Sequence, residues 1–270
     1  MVINGRFVAD SLISKINKSV SRRLTIFILG RDSASLSFIK QKINLAKRVG
    51  IKTKIISLPT PTPSKKLISL IEKENNDVLC GGIVIQLPLP SELNRQNILN
   101  SINIKKDVDV LSDSAKEIWL SGFSKINPPA VGVLLEIIKN QKLDLKKSSV
   151  AVVGLGFLVG RPIASYLVGK CKKLYLLDKG NDLKVLKNTD LIISGVGRAG
   201  LIKSNILKRG ALVIDFGYQN KNGKMSGDFY IPKKINIEFE NKKIKYTPTP
   251  GGTGPILVAK LLENFLRLNS

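Results

Sequence analysis

A stretch close to the C-terminal end of the sequence combines proline and glycine directly before a helical pattern. Prolines fix φ and stiffen the backbone, and glycines carry no side chain that would keep a flat ligand away from it. These residues are Pro248, Pro250, Gly251, Gly252 and Gly254. The apolar residues over 256–266 recur at helical spacing, so unpaired N–H groups at the start of this helix would face the ligand. The sequence therefore predicts a ligand-holding loop over 247–255.

A hydroxyl, an aromatic ring and an amine share one face of a second predicted helix. Ser35, Phe38 and Lys42 stand at i, i+3 and i+7, whereas Lys40 and Lys47 point to other faces. An isolated lysine on an amphipathic helix is commonly a solvated surface residue. A desolvated lysine instead has a lowered pKa and can assist proton transfer near neutral pH. The spacing makes Lys42 the lysine of this helix that is offered to a binding site.

The pattern over 80–90 is that of a buried strand that ends in one amide, Gln86, and two prolines. Together with the 247–255 loop it resembles the bifunctional methylenetetrahydrofolate dehydrogenase/cyclohydrolase family, whose signatures read (V/L)QLPLP and TPVPGGVGPMT. The order and spacing of the matching segments are specific, and the resemblance covers nearly the whole chain. The other matching segments are 34–42, 106–109, 154–162, 195–197 and 213–217.

The resemblance implies a folate site built on the first part of the chain. In the family the lysine that corresponds to Lys42 is the central cyclohydrolase group, the amide at Gln86 orients it, and the carboxylate at Asp109 holds the pterin. Asp109 suits that role because an ionised carboxylate accepts hydrogen bonds and a pterin edge donates them. The remaining substrate-binding residues implied by the resemblance are Ser35, Phe38, Pro250, Gly251 and Gly252.

This chain departs from the family pattern at several positions of that site. Phe38 stands where the family has tyrosine, so stacking on the folate ring is retained and the hydroxyl is lost. Val110 replaces a glycine directly after Asp109, and residues 127–130 read Asn-Pro-Pro-Ala where the family has Pro-Cys-Thr-Pro.

A glycine-rich turn follows the predicted strand over 150–153 and precedes a helix, which is the arrangement that sets a pyrophosphate on a helix N-terminus. The spacing of Gly154, Gly156 and Gly160 is one residue longer than the stricter dinucleotide fingerprint. The family pattern here is Gly-Arg-Ser-x-x-Val-Gly-x-Pro, so Leu155 and Gly156 replace Arg and Ser. In the family that arginine is associated with the 2′-phosphate of NADP.

The next predicted strand ends at Asp178, near the place where an acid binds the ribose 2′-OH of NAD, roughly 20 residues after the first glycine. Asp178 would repel a 2′-phosphate, whereas Lys179 would attract one. With Leu155 in place of arginine, the sequence favours NAD slightly over NADP. Gly195, Gly197 and Tyr218 are expected to form further walls of the cofactor site.

Strand-like runs alternate with helical ones, which predicts an α/β fold with parallel sheets. Together with the resemblance, this predicts two domains around a cleft. Residues 1–125, completed by the C-terminal helix segment 250–270, form the folate-binding catalytic domain, and residues 126–249 form a Rossmann-like NAD(P)-binding domain. The predicted strands are 25–29, 52–58, 78–86, 149–153, 173–178, 191–195 and 211–215.

The composition excludes several other classes of protein. The chain has 270 residues, 43% of them hydrophobic, no histidine and two cysteines, so His-based triads and zinc-type sites are excluded and a disulfide framework is not expected. No metal site is predicted. Neither a signal peptide nor a membrane span is expected, which favours a cytoplasmic protein. The net charge of +24 is scattered along the chain, which favours a solvated lysine-rich surface over a nucleic-acid-binding face.

The resemblance implies a homodimeric enzyme that oxidises 5,10-methylenetetrahydrofolate with NAD(P)+ and hydrolyses the methenyl product to 10-formyltetrahydrofolate. A dehydrogenase without cyclohydrolase activity is one alternative, against which the retention of Lys42 and Gln86 weighs. A non-catalytic protein that binds folate, nucleotide or nucleic acid is the other. It is motivated by the positive charge and by the departures at positions 38, 110, 129, 155 and 156.

Overall fold

The computed structural model describes residues 1–16, 20–30, 32–221, 224–232 and 237–270. The chain divides into two compact units, each built from two segments of sequence. The first unit comprises Ser11–Pro129 and Val258–Ser270, and the second comprises Met1–Asp10 and Ala130–Leu257. The α-helices of the described residues are α1 (Gly5–Ile13), α2 (Ser33–Arg48), α3 (Ser64–Asn76), α4 (Arg95–Asn100), α5 (Asp113–Leu120), α6 (Pro129–Asn140), α7 (Gly160–Leu167), α8 (Ile237–Asn241) and α9 (Thr253–Leu268).

The first unit contains a three-stranded parallel sheet in the order β2-β1-β3. Its central strand is almost wholly apolar and buried, as expected for a parallel strand that is covered on both faces. Side chains of the C-terminal helix, among them Leu262 and Phe265, pack against this sheet together with Ile39 of α2. The strands are β1 (Arg23–Leu29), β2 (Lys52–Leu58) and β3 (Cys80–Ile85).

The second unit contains a five-stranded parallel sheet in the order β10-β7-β6-β4-β5, together with the antiparallel hairpin β8–β9. The chain leaves β4 toward β5 on one side and returns to β6 on the other side of β4. Parallel sheets bind ligands outside the carboxyl ends of the strands at such a switch point. The strands are β4 (Ser149–Val153), β5 (Lys173–Leu177), β6 (Leu191–Ser194), β7 (Leu212–Asp215), β8 (Gln219–Lys221), β9 (Lys224–Ser226) and β10 (Lys245–Tyr246).

The first residues of the chain belong to the second unit, whereas the sequence placed them in the first domain. Val2 forms a parallel bridge with Tyr246, the Ile3 amide donates to the Tyr246 carbonyl at 2.7 Å, and the Met1 amino group donates to the Ile244 carbonyl at 2.6 Å. This segment therefore extends the sheet beyond β10. The other divisions fall at 129/130 and 257/258, four and eight residues later than the predicted 125/126 and 249/250.

The α/β prediction with parallel sheets is confirmed. Each predicted strand lies within two residues of an observed one at both ends, and α9 includes all of the residues 256–266 that recur at helical spacing. Every helix in the described part of the chain is too short or too polar to cross a bilayer.

Candidate active site

The amine of Lys42 lies inside the first unit and not on its surface. Its side chain is directed inward by the spacing along α2, where Ser35 and Lys42 are buried, Phe38 is half-buried and Lys40 is exposed. Lys42 retains only 5% of its accessible surface. Its Nζ lies 4.9 Å from the centroid of the Phe38 ring and donates a hydrogen bond of 3.0 Å to Gln86 Oε1.

Gln86 reaches Lys42 because it directly follows β3. Its amide N–H donates to the Phe27 carbonyl at 2.8 Å, which continues the pairing with β1 for one more residue. The side-chain Nε2 of Gln86 donates to the Leu87 carbonyl at 2.8 Å. The side-chain amide of Gln86 therefore presents its oxygen, Oε1, to the lysine. The Leu87–Pro88 peptide bond that follows is cis. Backbone pairing and this local hydrogen bond together fix the acceptor that faces Lys42.

Asp109 is held near Lys42 by a turn that a second carboxylate organises. The buried side chain of Asp107 accepts hydrogen bonds from the Leu111 amide, the Ser112 amide and the Ser112 hydroxyl at 3.0, 2.8 and 2.7 Å. Asp107 is therefore committed to the turn, whereas Asp109 accepts none of these three hydrogen bonds. Val110, between them and Ser112, has a φ of 56°, a left-handed conformation that suits glycine and strains a β-branched residue.

The charges of Lys42 and Asp109 act on each other in a desolvated setting. Burial lowers the pKa of Lys42, and the negative charge of Asp109 opposes that shift. Burial raises the pKa of Asp109 to about 6, the Lys42 charge opposes this shift, and the Asp107 charge adds to it. A lysine that gives up its proton more readily than usual therefore lies beside a carboxylate that is still largely ionised at neutral pH.

Asn264 is a supporting residue that the sequence reasoning missed. This buried side chain on α9 donates from Nδ2 to the Val108 carbonyl at 2.9 Å and to the Asn127 carbonyl at 2.7 Å. Asn127 in turn accepts a hydrogen bond from Trp119 Nε1 at 3.0 Å. The backbone directly before Asp109 is thereby tied to the C-terminal helix. An asparagine on an apolar helical face was the available signal, but its partners are more than 130 positions away in sequence.

In the second unit the glycine-rich turn after β4 is closely packed at one end and open at the other. Gly154 has a φ of 85°, and its amide donates to the Leu177 carbonyl at 2.7 Å. A Cβ on Gly160 would lie 1.9 Å from the Gly154 carbonyl oxygen, so only glycine lets α7 begin this close to the strand. A Cβ on Gly156 would meet nothing nearer than the Gly195 oxygen at 3.9 Å. The open side of the turn is therefore at Gly156.

The start of α7 fits a phosphate group. The residue before it, Val159, provides no side-chain cap. The Arg161 amide donates to the Gly156 carbonyl at 3.0 Å and Pro162 carries no N–H, so the Gly160 amide is the donor that this helix start offers to a ligand. The backbone carbonyl of Leu155 accepts a hydrogen bond from Arg161 Nε at 3.0 Å, which brings a guanidinium to this turn. An open glycine, an uncapped helix and an arginine together match an anionic ligand.

Asp178 and Lys179 lie directly after β5, at the carboxyl end of that edge strand, and both are exposed. Asp178 Oδ1 accepts a hydrogen bond from the Lys179 amide at 3.0 Å, and the Asp178 amide donates to Asn181 Oδ1 at 2.7 Å. These local bonds hold Asp178 at the strand end. The bond from the Lys179 amide uses Oδ1 of the carboxylate and leaves Oδ2 outside this contact.

The other predicted wall residues cluster at the carboxyl ends of β6 and β7. Gly197 has a φ of 76°, and a Cβ there would lie 3.5 Å from the Tyr218 carbonyl oxygen. A Cβ on Gly195 would lie 3.1 Å from the Val159 side chain. Gly195, Gly197 and Tyr218 therefore line neighbouring loops, and the loop with Gly195 adjoins the residue that precedes α7.

The 247–255 loop needs its glycines for two different reasons. Gly251 has a φ of 93°, and a Cβ there would meet no atom within 4 Å, so it leaves open space. Gly252 is instead required by the turn itself, since a Cβ would lie 2.3 Å from the Pro248 carbonyl oxygen. The Gly5 amide donates to the Gly251 carbonyl at 2.9 Å, which ties this loop to the start of α1. Pro250, which follows a cis peptide bond, is exposed beside Gly251.

Two family models match this chain over most of its length. Residues 3–109 match the catalytic domain of tetrahydrofolate dehydrogenase/cyclohydrolase, and residues 128–270 match its NAD(P)-binding domain. The chain belongs to the tetrahydrofolate dehydrogenase/cyclohydrolase family. The predicted resemblance and the predicted enzyme class are thereby confirmed.

Individual relatives agree with this assignment. The chain is 33% identical to the bifunctional protein FolD of Macrococcus caseolyticus, over 92% of this chain and 87% of that protein. It is 28% identical to the solved FolD methylenetetrahydrofolate dehydrogenase/cyclohydrolase of Campylobacter jejuni, with a TM-score of 0.88 over 100% and 98% of the two chains. It is 25% identical to the FolD of Trypanosoma brucei, solved with NADP and an inhibitor, with a TM-score of 0.89 over 99% and 96%.

Membership in the tetrahydrofolate dehydrogenase/cyclohydrolase family accounts for both clusters of predicted residues. Lys42, Gln86 and Asp109 all lie within residues 3–109, the part that matches the catalytic domain model, and Asp109 is the last residue of that part. The glycine-rich turn and the loops at 195–197 and 215–218 lie within the part that matches the NAD(P)-binding model. A folate substrate and a nicotinamide cofactor are the ligands of this family. Among the described residues no group of potential ligand side chains is arranged to hold a metal ion.

Proposed function

We propose that this chain oxidises 5,10-methylenetetrahydrofolate with NAD(P)+ and then hydrolyses the 5,10-methenyl product to 10-formyltetrahydrofolate. The observation that carries the proposal is the buried hydrogen bond between Lys42 and Gln86, inside a segment that matches the family's catalytic domain. A lysine placed there has no structural ion-pair role comparable to that of Lys54, which pairs with Glu74 elsewhere in the unit.

The second unit supplies the parts that a nicotinamide dinucleotide requires. A bound nicotinamide would supply the hydride acceptor for oxidation of the carbon that bridges N5 and N10 of the folate. The open turn at Gly156 and the uncapped start of α7 would hold the pyrophosphate. Gly195, Gly197 and Tyr218 would form the walls beside it. The chain itself therefore contributes binding and orientation to the redox step.

The first unit supplies the groups for hydrolysis of the methenyl cation. Water adds to the carbon between the two nitrogens and loses one proton. The bond from this carbon to N5 then breaks as the remaining hydroxyl proton leaves to form the formyl C=O and N5 takes up a proton, so one proton is released overall. Because burial lowers the pKa of Lys42, a larger fraction of its amine is neutral and able to accept that proton. Gln86 Oε1 holds the amine in place through its 3.0 Å hydrogen bond.

Asp109 would hold the pterin end of the folate, and Phe38 would stack on a folate ring, with Ser35 on the same helical face. When ionised, Asp109 presents two acceptor oxygens and no donor, and its pKa of about 6 leaves it largely ionised at neutral pH. Pro250, Gly251 and Gly252 would form the second binding surface for the substrate. Of these, Gly251 borders open space, since a Cβ there would meet no atom within 4 Å.

We further propose that NAD is preferred over NADP. Asp178 is exposed at the end of β5, where an acid recognises a ribose 2′-OH, and Leu155 provides no positive charge for a 2′-phosphate. Lys179 is the opposing feature, since its amine also follows β5 and is exposed.

The test is a pair of assays on the purified protein. Dehydrogenase activity is followed as NADH or NADPH formation from methylenetetrahydrofolate, and cyclohydrolase activity as loss of methenyltetrahydrofolate. Turnover in both assays is expected. Dehydrogenase turnover alone would establish a dehydrogenase without cyclohydrolase activity. Turnover in neither, with salt-sensitive binding to nucleic acid, would establish the non-catalytic alternative.

We also propose that the enzyme acts as a homodimer in the cytoplasm, as the family resemblance implies. Cys80 and Cys171 are both free thiols, which is consistent with a reducing compartment. Sedimentation equilibrium tests the dimer, since a single species with the mass of one chain contradicts it.

A further inference from the structure

Two buried carboxylates lie at the carboxyl ends of the strands in the second unit, and the proposed mechanism does not use them. Asp215 retains 2% of its accessible surface and Asp228 retains none. The hydrogen bonds to these carboxylates come from backbone N–H groups and from the Ser194 hydroxyl. Burial of a carboxylate is costly unless its oxygens are well bonded, so this arrangement calls for an explanation.

Asp228 organises the loop that follows β6. Its Oδ2 accepts hydrogen bonds from the Ser194 hydroxyl at 2.6 Å and from the Val196 amide at 2.8 Å, while its Oδ1 accepts from the Arg198 amide at 2.7 Å. Both carboxylate oxygens are therefore engaged by residues 194–198, the stretch that contains Gly195 and Gly197. We call residues 195–198 the cofactor loop.

Asp215 organises the loop that follows β7 and connects it to the substrate loop at 247–253. Its carboxylate accepts from the Gly217 amide at 2.7 Å and from the Phe229 amide at 2.8 Å. Its own amide donates to Thr247 Oγ1 at 2.8 Å, and its carbonyl accepts from Thr253 Oγ1 at 3.0 Å. The substrate loop is thus tied at both ends to the residue that carries this carboxylate.

Glycines allow the two carboxylates to approach these loops closely. A Cβ on Gly217 would lie 2.2 Å from Cγ of Asp228, and a Cβ on Gly227 would lie 2.2 Å from Oδ2 of Asp215. Burial raises the pKa of Asp215 to about 6, and the nearby charge of Asp228 adds to this shift. Two neighbouring carboxylates are therefore buried at this point of the fold. Both accept hydrogen bonds from the loops at the carboxyl ends of β6 and β7.

We propose that Asp228 is a positioning residue for cofactor binding. Without Asp228 the N–H groups of Val196 and Arg198 lose their acceptors, and the cofactor loop is no longer held in one conformation. The affinity for the nicotinamide cofactor therefore depends on a residue that the cofactor need not touch. This inference rests on the proposed function, because it assumes that the cofactor loop binds NAD(P).

The deciding variant is Asp228→Asn, which keeps the size of the side chain and removes one acceptor oxygen. Whichever way the amide is turned, its NH2 group faces a backbone N–H. Hydrogen bonds to charged groups are strong, so the Kd for NAD+ or NADP+, measured by titration calorimetry, should rise about tenfold or more. In the dehydrogenase assay the KM for the cofactor should rise more than kcat falls, and methenyltetrahydrofolate hydrolysis should change less than twofold.

Asp190→Asn is the matched control. Asp190 also accepts from a backbone amide and a serine hydroxyl, those of Ser149 at 2.9 and 2.8 Å, and its other oxygen pairs with Lys208. It lies at the amino ends of β4 and β6, away from the cofactor loop. It should lower Tm while leaving the cofactor Kd within twofold of wild type. If Asp228→Asn does not fold, Ser194→Ala takes its place, since it removes one donor to Asp228. It should raise the Kd at least threefold.

The outcomes separate this inference from the proposed function. Suppose that the wild type binds NAD+ or NADP+ and that Asp228→Asn, or Ser194→Ala where that variant is used, binds it with the same Kd. This result overturns the positioning role and leaves the proposed function intact. An equal loss of affinity in Asp190→Asn also overturns it, because the effect would then be one of general stability. Wild-type protein that binds neither nucleotide overturns the proposed function and this inference together.

Discussion

Replacing Lys42 by methionine tests the hydrolytic half of the mechanism, because methionine keeps much of the side-chain length and removes only the amine. The variant should lose cyclohydrolase activity by a factor of about 10²–10⁴, the usual contribution of a positioned acid or base. That range corresponds to about 3–5 kcal/mol on the activation barrier. Dehydrogenase activity should fall by a smaller factor, since hydride transfer needs no proton acceptor for water.

The structure also sets the expected effect of this change on stability. Gln86 Oε1 loses the donor 3.0 Å away, and an unpaired buried acceptor costs about 1–3 kcal/mol. Removal of a buried amine offsets part of this cost, because burial disfavours its charged form. The free energy of unfolding, measured by urea titration, should therefore change by less than about 2 kcal/mol, and the variant should fold.

The assay follows the decay of methenyltetrahydrofolate absorbance after subtraction of the spontaneous rate. Lys40→Met is the control, because Lys40 is exposed on the same helix and should leave the rate unchanged. In the wild type the rate should rise with pH through a pKa below the ordinary value for lysine, since the neutral amine is the active form. A Lys42→Met variant that hydrolyses within threefold of the wild-type rate refutes the role assigned to this amine.

Four further predictions concern the substrate, the cofactor and the turn beside the site. Phe38→Ala should raise the Kd for folate at least fivefold while Phe38→Tyr leaves it similar, and equal affinity in all three proteins would mean that the ring only packs in the core. Asp178→Ser should shift the ratio of kcat/KM values toward NADP, and a wild-type NADP preference that disappears in Lys179→Ala would instead assign recognition to the lysine. Folate KM should rise as pH falls through about 6, where Asp109 becomes protonated, and a KM that stays flat in the wild type would separate this carboxylate from the pterin. Val110→Gly should be about 1 kcal/mol more stable to urea than Val110→Ala, because both lose the buried side chain and only glycine suits a φ of 56°, so equal stabilities would remove the strain argument.

The sequence predicts the parts of the fold and the site that depend on local periodicity. The apolar runs of β1 and β4 identify buried parallel strands, and the spacing along α2 identifies Lys42 as the lysine that faces inward. The position of Gln86 also follows from sequence, because it ends the β3 run. These are properties that a few neighbouring residues determine.

The missed features depend on contacts between distant residues. Val2 pairs with Tyr246, and Asn264 donates to the Val108 and Asn127 carbonyls, so neither role is visible in a local window. Asp228 was missed because a polar residue in a Gly-Asp stretch has the composition of an ordinary turn. The hairpin β8–β9 was also missed, since its two short strands are mostly polar. Long-range hydrogen bonding, which local patterns do not encode, decides these elements.

The pairing of the first residues with the last strand constrains how this enzyme is made. The Met1 amino group and its acceptor, the Ile244 carbonyl, are 243 positions apart, so the sheet of the second unit cannot be completed while the chain is still short. The first unit likewise needs residues 258–270. At ordinary elongation rates the N-terminal segment waits about 10–50 s for its partner. Neither unit can therefore finish folding before its late segment has been synthesised, and the early part of the chain is exposed to chaperones and proteases in the meantime.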